Sequence, residues 1–205
     1  MTTPQSAPVY QAQRQAAEQR LNIRNHPYHV LQWGTGRALP PLVLCHGWMD
    51  VGASFQFVVD QFSPAFAAGR TIIAPDWRGF GASRRTPAPD HFPFVDYLGD
   101  LDALIDWLSP DAPVDLLGHS MGGNVVMLYA AARPARVRRL VNLEGFGMPA
   151  TQPAQAPQRA ARWLDEIREL RTGQIGMKPY PSAAAVAARL QKNNPRLPAD
   201  KALWL

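Results

Sequence analysis

The chain has 205 residues, 46% of them hydrophobic, one cysteine and a formal net charge of +5. That much apolar material can bury a core, which excludes a short peptide or a disordered tail, and a lone Cys45 excludes a disulfide framework or a cysteine-based metal site. No run approaches the roughly 18 apolar residues of a membrane-spanning helix and the start of the chain lacks a signal-peptide core, so a cytoplasmic, soluble protein with no membrane partner is expected.

In chain order, residues 1–8 read as disordered, and Gln11–Gln19 as a polar, helix-prone lead-in to extended stretches at Leu21–Arg24 and Tyr28–Trp33. Short apolar runs follow at Leu42–Cys45, Thr71–Ala74, Val114–Leu117 and Leu140–Leu143. Each has strand length, and near-continuous apolarity suits a parallel sheet buried on both faces. Cys45 lies inside the first run and reads as a small buried hydrophobe. Helical patterns separate the runs: Ser54–Phe62; Tyr97–Leu108, with Leu98, Leu101, Ile105 and Leu108 on one stripe; and Ser120–Ala132. Strand alternating with helix predicts an α/β fold with a mostly parallel, doubly wound sheet. After Pro149 the texture changes to an Ala-, Pro- and Gln-rich link. An amphipathic helix over Gln158–Thr172 follows, with Trp163, Ile167 and Leu170 on one face, then a helix over Ser182–Lys192 and the start of a third at Pro198–Leu203.

The basic balance raises nucleic acid as a partner. The tightest cationic group, Arg133, Arg136, Arg138 and Arg139, falls where a helix ends and a strand begins. Cations there are favoured by the helix dipole, so a solvated face and no nucleic acid are expected.

Three elements carry chemistry, each directly after a predicted strand. Gly118-His119-Ser120-Met121-Gly122-Gly123 places a serine on a sharp strand-to-helix turn, a nucleophile elbow. The small residues Gly118 and Gly122 are needed because strand and helix approach closely and the serine backbone is strained. His46-Gly47-Trp48 forms a loop able to present a backbone N–H. With the N–H of Met121, that of Trp48 would form an oxyanion hole, while His46 is expected to hold the turn. Asp76-Trp77-Arg78-Gly79-Phe80-Gly81-Ala82-Ser83 flanks a Gly-rich turn with Asp76 and Arg78. These two are expected to brace the loop by a charge-assisted hydrogen bond, outside catalysis.

In this order the three elements resemble the α/β-hydrolase superfamily, over about Leu21 to Pro149. Within it the chain is similar to the capped branch holding haloalkane dehalogenases, epoxide hydrolases and cofactor-free haloperoxidases. The resemblance implies a core over residues 1–149 with about six of the fold's eight strands, and a partial helical cap over 150–205. It implies a hydrolase acting on a small-molecule substrate without metal or organic cofactor. Those dehalogenases and epoxide hydrolases use an aspartate nucleophile, so Ser120 implies hydrolysis of an ester, thioester, lactone or similar acyl bond. Family members place the triad acid after either the sixth or the seventh strand. Glu144 closes the run Leu140-Val141-Asn142-Leu143 and resembles the subgroup with the acid in the earlier position; the alternative is a loop-bracing carboxylate.

The fold's triad runs Ser, acid, His along the chain. Here His26, His29, His46, His91 and His119 all precede Ser120. His119, next to the nucleophile, is expected to point away from its hydroxyl. The expectation is a chain truncated at its C-terminus, lacking the base and two strands, with the sixth strand an apolar edge prone to association. The alternative is a catalytically incomplete ligand-binding or remnant protein.

Overall fold

The computed structural model describes residues 9–87, 89, 91–147, 149–176 and 179–205; the expectation of disorder over residues 1–8 lies outside them. The strands are β1 (Ala17–Ile23), β2 (His26–Arg37), β3 (Leu42–Cys45), β4 (Arg70–Pro75), β5 (Val114–His119) and β6 (Val137–Leu143). They form one sheet in the order β1-β2-β4-β3-β5-β6. β3 runs parallel to β4 and β5, and β6 parallel to β5, whereas β1 and β2 form an antiparallel hairpin and β2 lies antiparallel to β4. Arg24 and Asn25 close the hairpin with φ of 49° and 60°, the left-handed pair that a two-residue turn matched to strand twist requires.

The helices are α1 (Gln56–Gln61), α2 (Pro64–Ala68), α3 (Phe94–Leu108), α4 (Met121–Ala132), α5 (Ala156–Arg171), α6 (Ala183–Asn193) and α7 (Ala199–Trp204). None in the described residues is long and apolar enough to cross a membrane. α2 was not expected; Ser63 caps it by accepting from the Phe66 N–H, and Pro64 opens it. The lead-in forms no helix where helix propensity pointed to one: residues 11–16 are irregular, with a bend at Gln13 and Arg14, and Ala17–Gln19 belong to β1. Its Ala17–Gln19 end pairs with β2, and the Arg14 guanidinium donates to the carbonyls of Val59 and Asp60, both at 2.9 Å, and of Phe62 at 2.8 Å. Those bonds satisfy the open C-terminus of α1, and tertiary partners of this kind override a weak propensity.

Side chains alternate across the strands. Val43, Cys45, Ile73 and Leu116 pack with Leu101, Ile105 and Val126 of α3 and α4 on one face. Leu42, Leu44, Ile72 and Trp33 pack with Phe55 and Val59 on the other. Burial pushes the Cys45 thiol far above its ordinary range, so it stays an inert hydrophobe. β6 is an edge of this sheet, with Leu140, Val141 and Leu143 between 38% and 46% exposed.

Three of the four arginines after α4 also reach carboxylates. Arg136 reaches Asp106 at 2.9 Å and Arg133 reaches Asp102 at 3.7 Å. Asp115 of β5 binds Arg138 of β6 through Nε at 2.8 Å and Arg70 of β4 through Nη1 at 2.9 Å. Burial raises the Asp115 carboxyl, but the hydrogen bonds from Arg138 and Arg70 outweigh it and hold the group below its ordinary value. A depressed folded-state value means stabilisation present above the unfolded carboxylate range and lost as pH falls through the folded value. Asp115→Asn is therefore expected to melt below the wild type at neutral pH, with the gap closing below about pH 4; a gap constant with pH would contradict it.

Two compact units divide the chain: Arg14–Gln158, which holds the sheet, and Arg159–Leu205 with the described residues up to Gln13. In the second, Ala187 of α6 and Ala202 of α7 are buried. The Tyr10 N–H donates to the Asp200 carbonyl at 3.3 Å, and its ring meets Trp204 edge-on with centroids 6.1 Å apart.

Candidate active site

β5 runs straight into Ser120, whose φ of 51° and ψ of −114° turn the chain into α4. A β-carbon at Gly122 would stand 2.6 Å from the Cys45 carbonyl carbon and the His46 carbonyl oxygen, and one at Gly118 would stand 2.7 Å from the Gly123 nitrogen. Only glycine at both positions lets strand, elbow and helix come this close. Gly47 plays the same part in the neighbouring loop, where a β-carbon would lie 3.1 Å from the Ser120 Cβ and from His119 Nδ1. The turn before Trp48 is thus pressed against Ser120. The Trp48 ring is 63% exposed and meets Phe80 edge-on at 5.2 Å.

His46 is fully buried between two loops. Its Nε2 accepts the Trp77 N–H at 2.9 Å, its Nδ1–H donates to the Gly47 carbonyl at 2.8 Å, and its own carbonyl accepts the Trp77 indole N–H at 3.0 Å. These bonds require the neutral ring protonated at Nδ1, and burial lowers its pKa in agreement. The unfolded chain binds a proton that this ring refuses, so stability is present above the unfolded value of about 6.5 and lost as pH falls below it. The melting temperature is expected to fall between pH 7.5 and 5.5 and His46→Asn to flatten that slope; a slope unchanged by the substitution would refute the assignment.

Asp76 accepts from the N–H groups of Gly52 at 2.8 Å and Ala82 at 2.9 Å, and pairs with His29 Nδ1 at 2.9 Å. Arg78 does not pair with it. Its Nε and Nη2 grip the buried Asp100 of α3 at 2.7 and 2.6 Å. The 76–83 loop is therefore braced through two separate carboxylates, because Asp76 faces back to β2 while Arg78 reaches across to α3.

Glu144 ends β6 with φ of 59° and a side chain 75% exposed, its Oε2 3.8 Å from His119 Nε2. Between exposed groups at that distance such a pair contributes little to stability. The Ser120 N–H donates to the Leu143 carbonyl at 2.8 Å, joining the elbow to the segment that bears Glu144. Past the hairpin, the non-glycine residues of positive φ among the described residues are Met49, Ser120 and Glu144, following β3, β5 and β6. Strained backbone at the carboxyl ends of parallel strands is the placement expected of a functional edge. Gly123, Gly145, Asn124 and Asn142 also join these loops, a role that the motifs alone do not assign them. The available signal was the capacity of asparagine to bond nearby backbone. Among the described residues no cluster of His, Cys, Asp or Glu could hold a metal. A cleft of about 790 Å³ lined by Arg37, Leu39, Pro41, Thr71, Trp107 and Pro113 lies at the opposite, amino end of β3, β4 and β5.

A family model described as alpha/beta hydrolase fold matches residues 40–197. A probable serine hydrolase of Drosophila melanogaster is 29% identical over 145 residues, 69% of this chain and 41% of that protein. The 2-hydroxymuconate semialdehyde hydrolase of Pseudomonas sp. (strain CF600) is 33% identical over 165 residues, 76% of this chain and 51% of that protein. Among solved structures, a thioesterase domain from the curacin biosynthetic pathway aligns with a TM-score of 0.74 and 27% identity, covering 92% of this chain and 63% of that one. The chain spans about half the length, or less, of the curated relatives it matches.

Proposed function

Starting from a chain that belongs to the α/β-hydrolase fold family, we propose that it carries the nucleophile and acid of a serine hydrolase acting on an ester, thioester, lactone or similar acyl bond. The observation that carries this is the elbow itself: a serine with φ of 51°, the Gly47 turn against its β-carbon. Strain of this kind persists where surrounding structure over-determines it, and a serine presented at a strand end is the arrangement that acyl transfer uses.

In this proposal the Ser120 Oγ attacks the substrate carbonyl carbon while its proton passes to a histidine oriented by Glu144. The N–H groups of Trp48 and Met121 hold the oxyanion. Collapse expels the alcohol, thiol or equivalent leaving group, and water then hydrolyses the acyl-enzyme by the same route in reverse. Trp48 and Phe80 offer an apolar wall to the acyl group, so an apolar acyl portion is the substrate class favoured. The mechanism requires a histidine base, and the 205 residues hold none beyond Ser120. A second reading, a ligand-binding protein that keeps the elbow without the chemistry, rests on the Glu144 side chain, which is 75% exposed and meets His119 only at 3.8 Å.

Treatment of the protein expressed from its complete reading frame with a fluorophosphonate probe separates the two. The hydrolase reading expects a single adduct, located by mass spectrometry on Ser120; an unmodified Ser120 would favour the binding protein.

A further inference from the structure

The loop that presents Glu144 is fastened to the nucleophile helix more firmly than loop closure needs. The Asn142 side-chain amide donates to the Gly145 carbonyl at 2.7 Å, and its Oδ1 accepts the Gly145 N–H at 2.9 Å. One carboxamide thus pairs with both polar groups of a single residue, closing a tight turn in which Glu144 takes φ of 59°. Two residues on, the Gly147 N–H donates to Asn124 Oδ1, from the first turn of α4, at 2.8 Å. Between these bonds the backbones almost touch. A β-carbon on Gly145 would lie 2.6 Å from the Gly123 carbonyl carbon and 2.8 Å from the Asn124 nitrogen. With the Ser120 N–H bound to the Leu143 carbonyl at 2.8 Å, two hydrogen bonds join residues 120–124 to 142–147, with Gly145 packed against Gly123 between them.

The Glu144 side chain itself is 75% exposed and meets His119 only at 3.8 Å. Its partners therefore do little to aim it. The backbone that bears it is what stays in register with the nucleophile. We propose that Asn142 and Asn124 are positioning residues that set the Glu144 carboxylate relative to Ser120, an inference that rests on the nucleophile and acid roles assigned above.

The test measures fluorophosphonate inactivation of the protein expressed from its complete reading frame, separating the rate constant kinact from the binding constant KI. Glu144→Gln is expected to lower kinact by about 100-fold, and Asn142→Ala by about tenfold, since small displacements of catalytic groups carry costs of this order. KI stays within about twofold in both. The double variant Asn142→Ala/Glu144→Gln is expected to be no slower than Glu144→Gln alone, because no carboxylate is left to place. Asn124→Ala follows the same pattern. If Asn142→Ala does not fold, Asn142→Asp, equal in size but unable to donate to the Gly145 carbonyl, serves in its place. An unchanged kinact in the asparagine variants overturns the inference, as does a loss that multiplies with that of Glu144→Gln. A wild type without adduct on Ser120 instead overturns the hydrolase reading and the inference with it.

Discussion

If Ser120 is the nucleophile proposed above, Ser120→Ala in the protein expressed from its complete reading frame is expected to lower kcat for hydrolysis of an activated ester by about 10⁶-fold, the scale seen when a serine nucleophile is deleted. The methyl group cannot attack, and nothing in the elbow replaces it. Cys45 is buried in the strand run with its thiol pushed far above its ordinary range. In the proposed mechanism what survives is catalysis by the Trp48 and Met121 amides alone, roughly 10³–10⁴ over the reaction in water. A loss below about tenfold would place the hydrolysis elsewhere and end the assignment. The same residue has a stability signature. A β-carbon at φ of 51° costs about 1–2 kcal/mol that glycine avoids. Ser120→Gly is accordingly expected to unfold at higher denaturant concentration than Ser120→Ala, and equal midpoints would show that the elbow is unstrained.

Asp100→Ala is expected to cost about 3–5 kcal/mol of folding stability, the range for removing one member of a buried ionic network. The Asp100 carboxylate has no exposed side-chain surface. It accepts from the Tyr28 hydroxyl at 2.6 Å, from Arg78 through Nε at 2.7 Å and Nη2 at 2.6 Å, and from Arg24 at 3.0 Å. Alanine leaves the Arg78 guanidinium and the Tyr28 hydroxyl beside an apolar gap, with desolvation no longer offset. Asp100 also anchors the 76–83 loop, whose Phe80 packs on His46 and Trp48 with centroids 5.6 and 5.2 Å away. Lost stability and a displaced Trp48 amide should therefore appear together. Urea denaturation measures the first and the Ser120 labelling rate the second; a cost under about 1 kcal/mol would show that the network is not shielded from water.

Much of this organisation is legible in the chain. The run Leu42–Cys45 coincides with β3, and the other apolar runs gain only one to three residues at their ends, since an all-apolar stretch of that length has few other ways to leave water. The helix patterns ending at Leu108 and Ala132 stop where α3 and α4 stop. The lead-in at Gln11–Gln19 misleads because its helical preference is local, whereas pairing with β2 and the Arg14 bonds to α1 come from residues distant in sequence. The pairing of Arg78 fails to show for the same reason, its partner lying 22 residues away on α3.

Local pattern by itself determined the four apolar strands β3 to β6 and the helices α3 and α4, and that a serine stands on a glycine-flanked bend after one of those strands. Those facts depend on residue type and spacing over a few positions. Tertiary structure alone decided that Glu144 stands beside His119, that Asp76 and Arg78 have separate partners, and that Asn124 of α4 fastens the segment bearing Glu144 at Gly147. Each of these is a contact made only after sheet order brings distant strand ends together, and the geometry of that meeting is written in no single stretch of the chain.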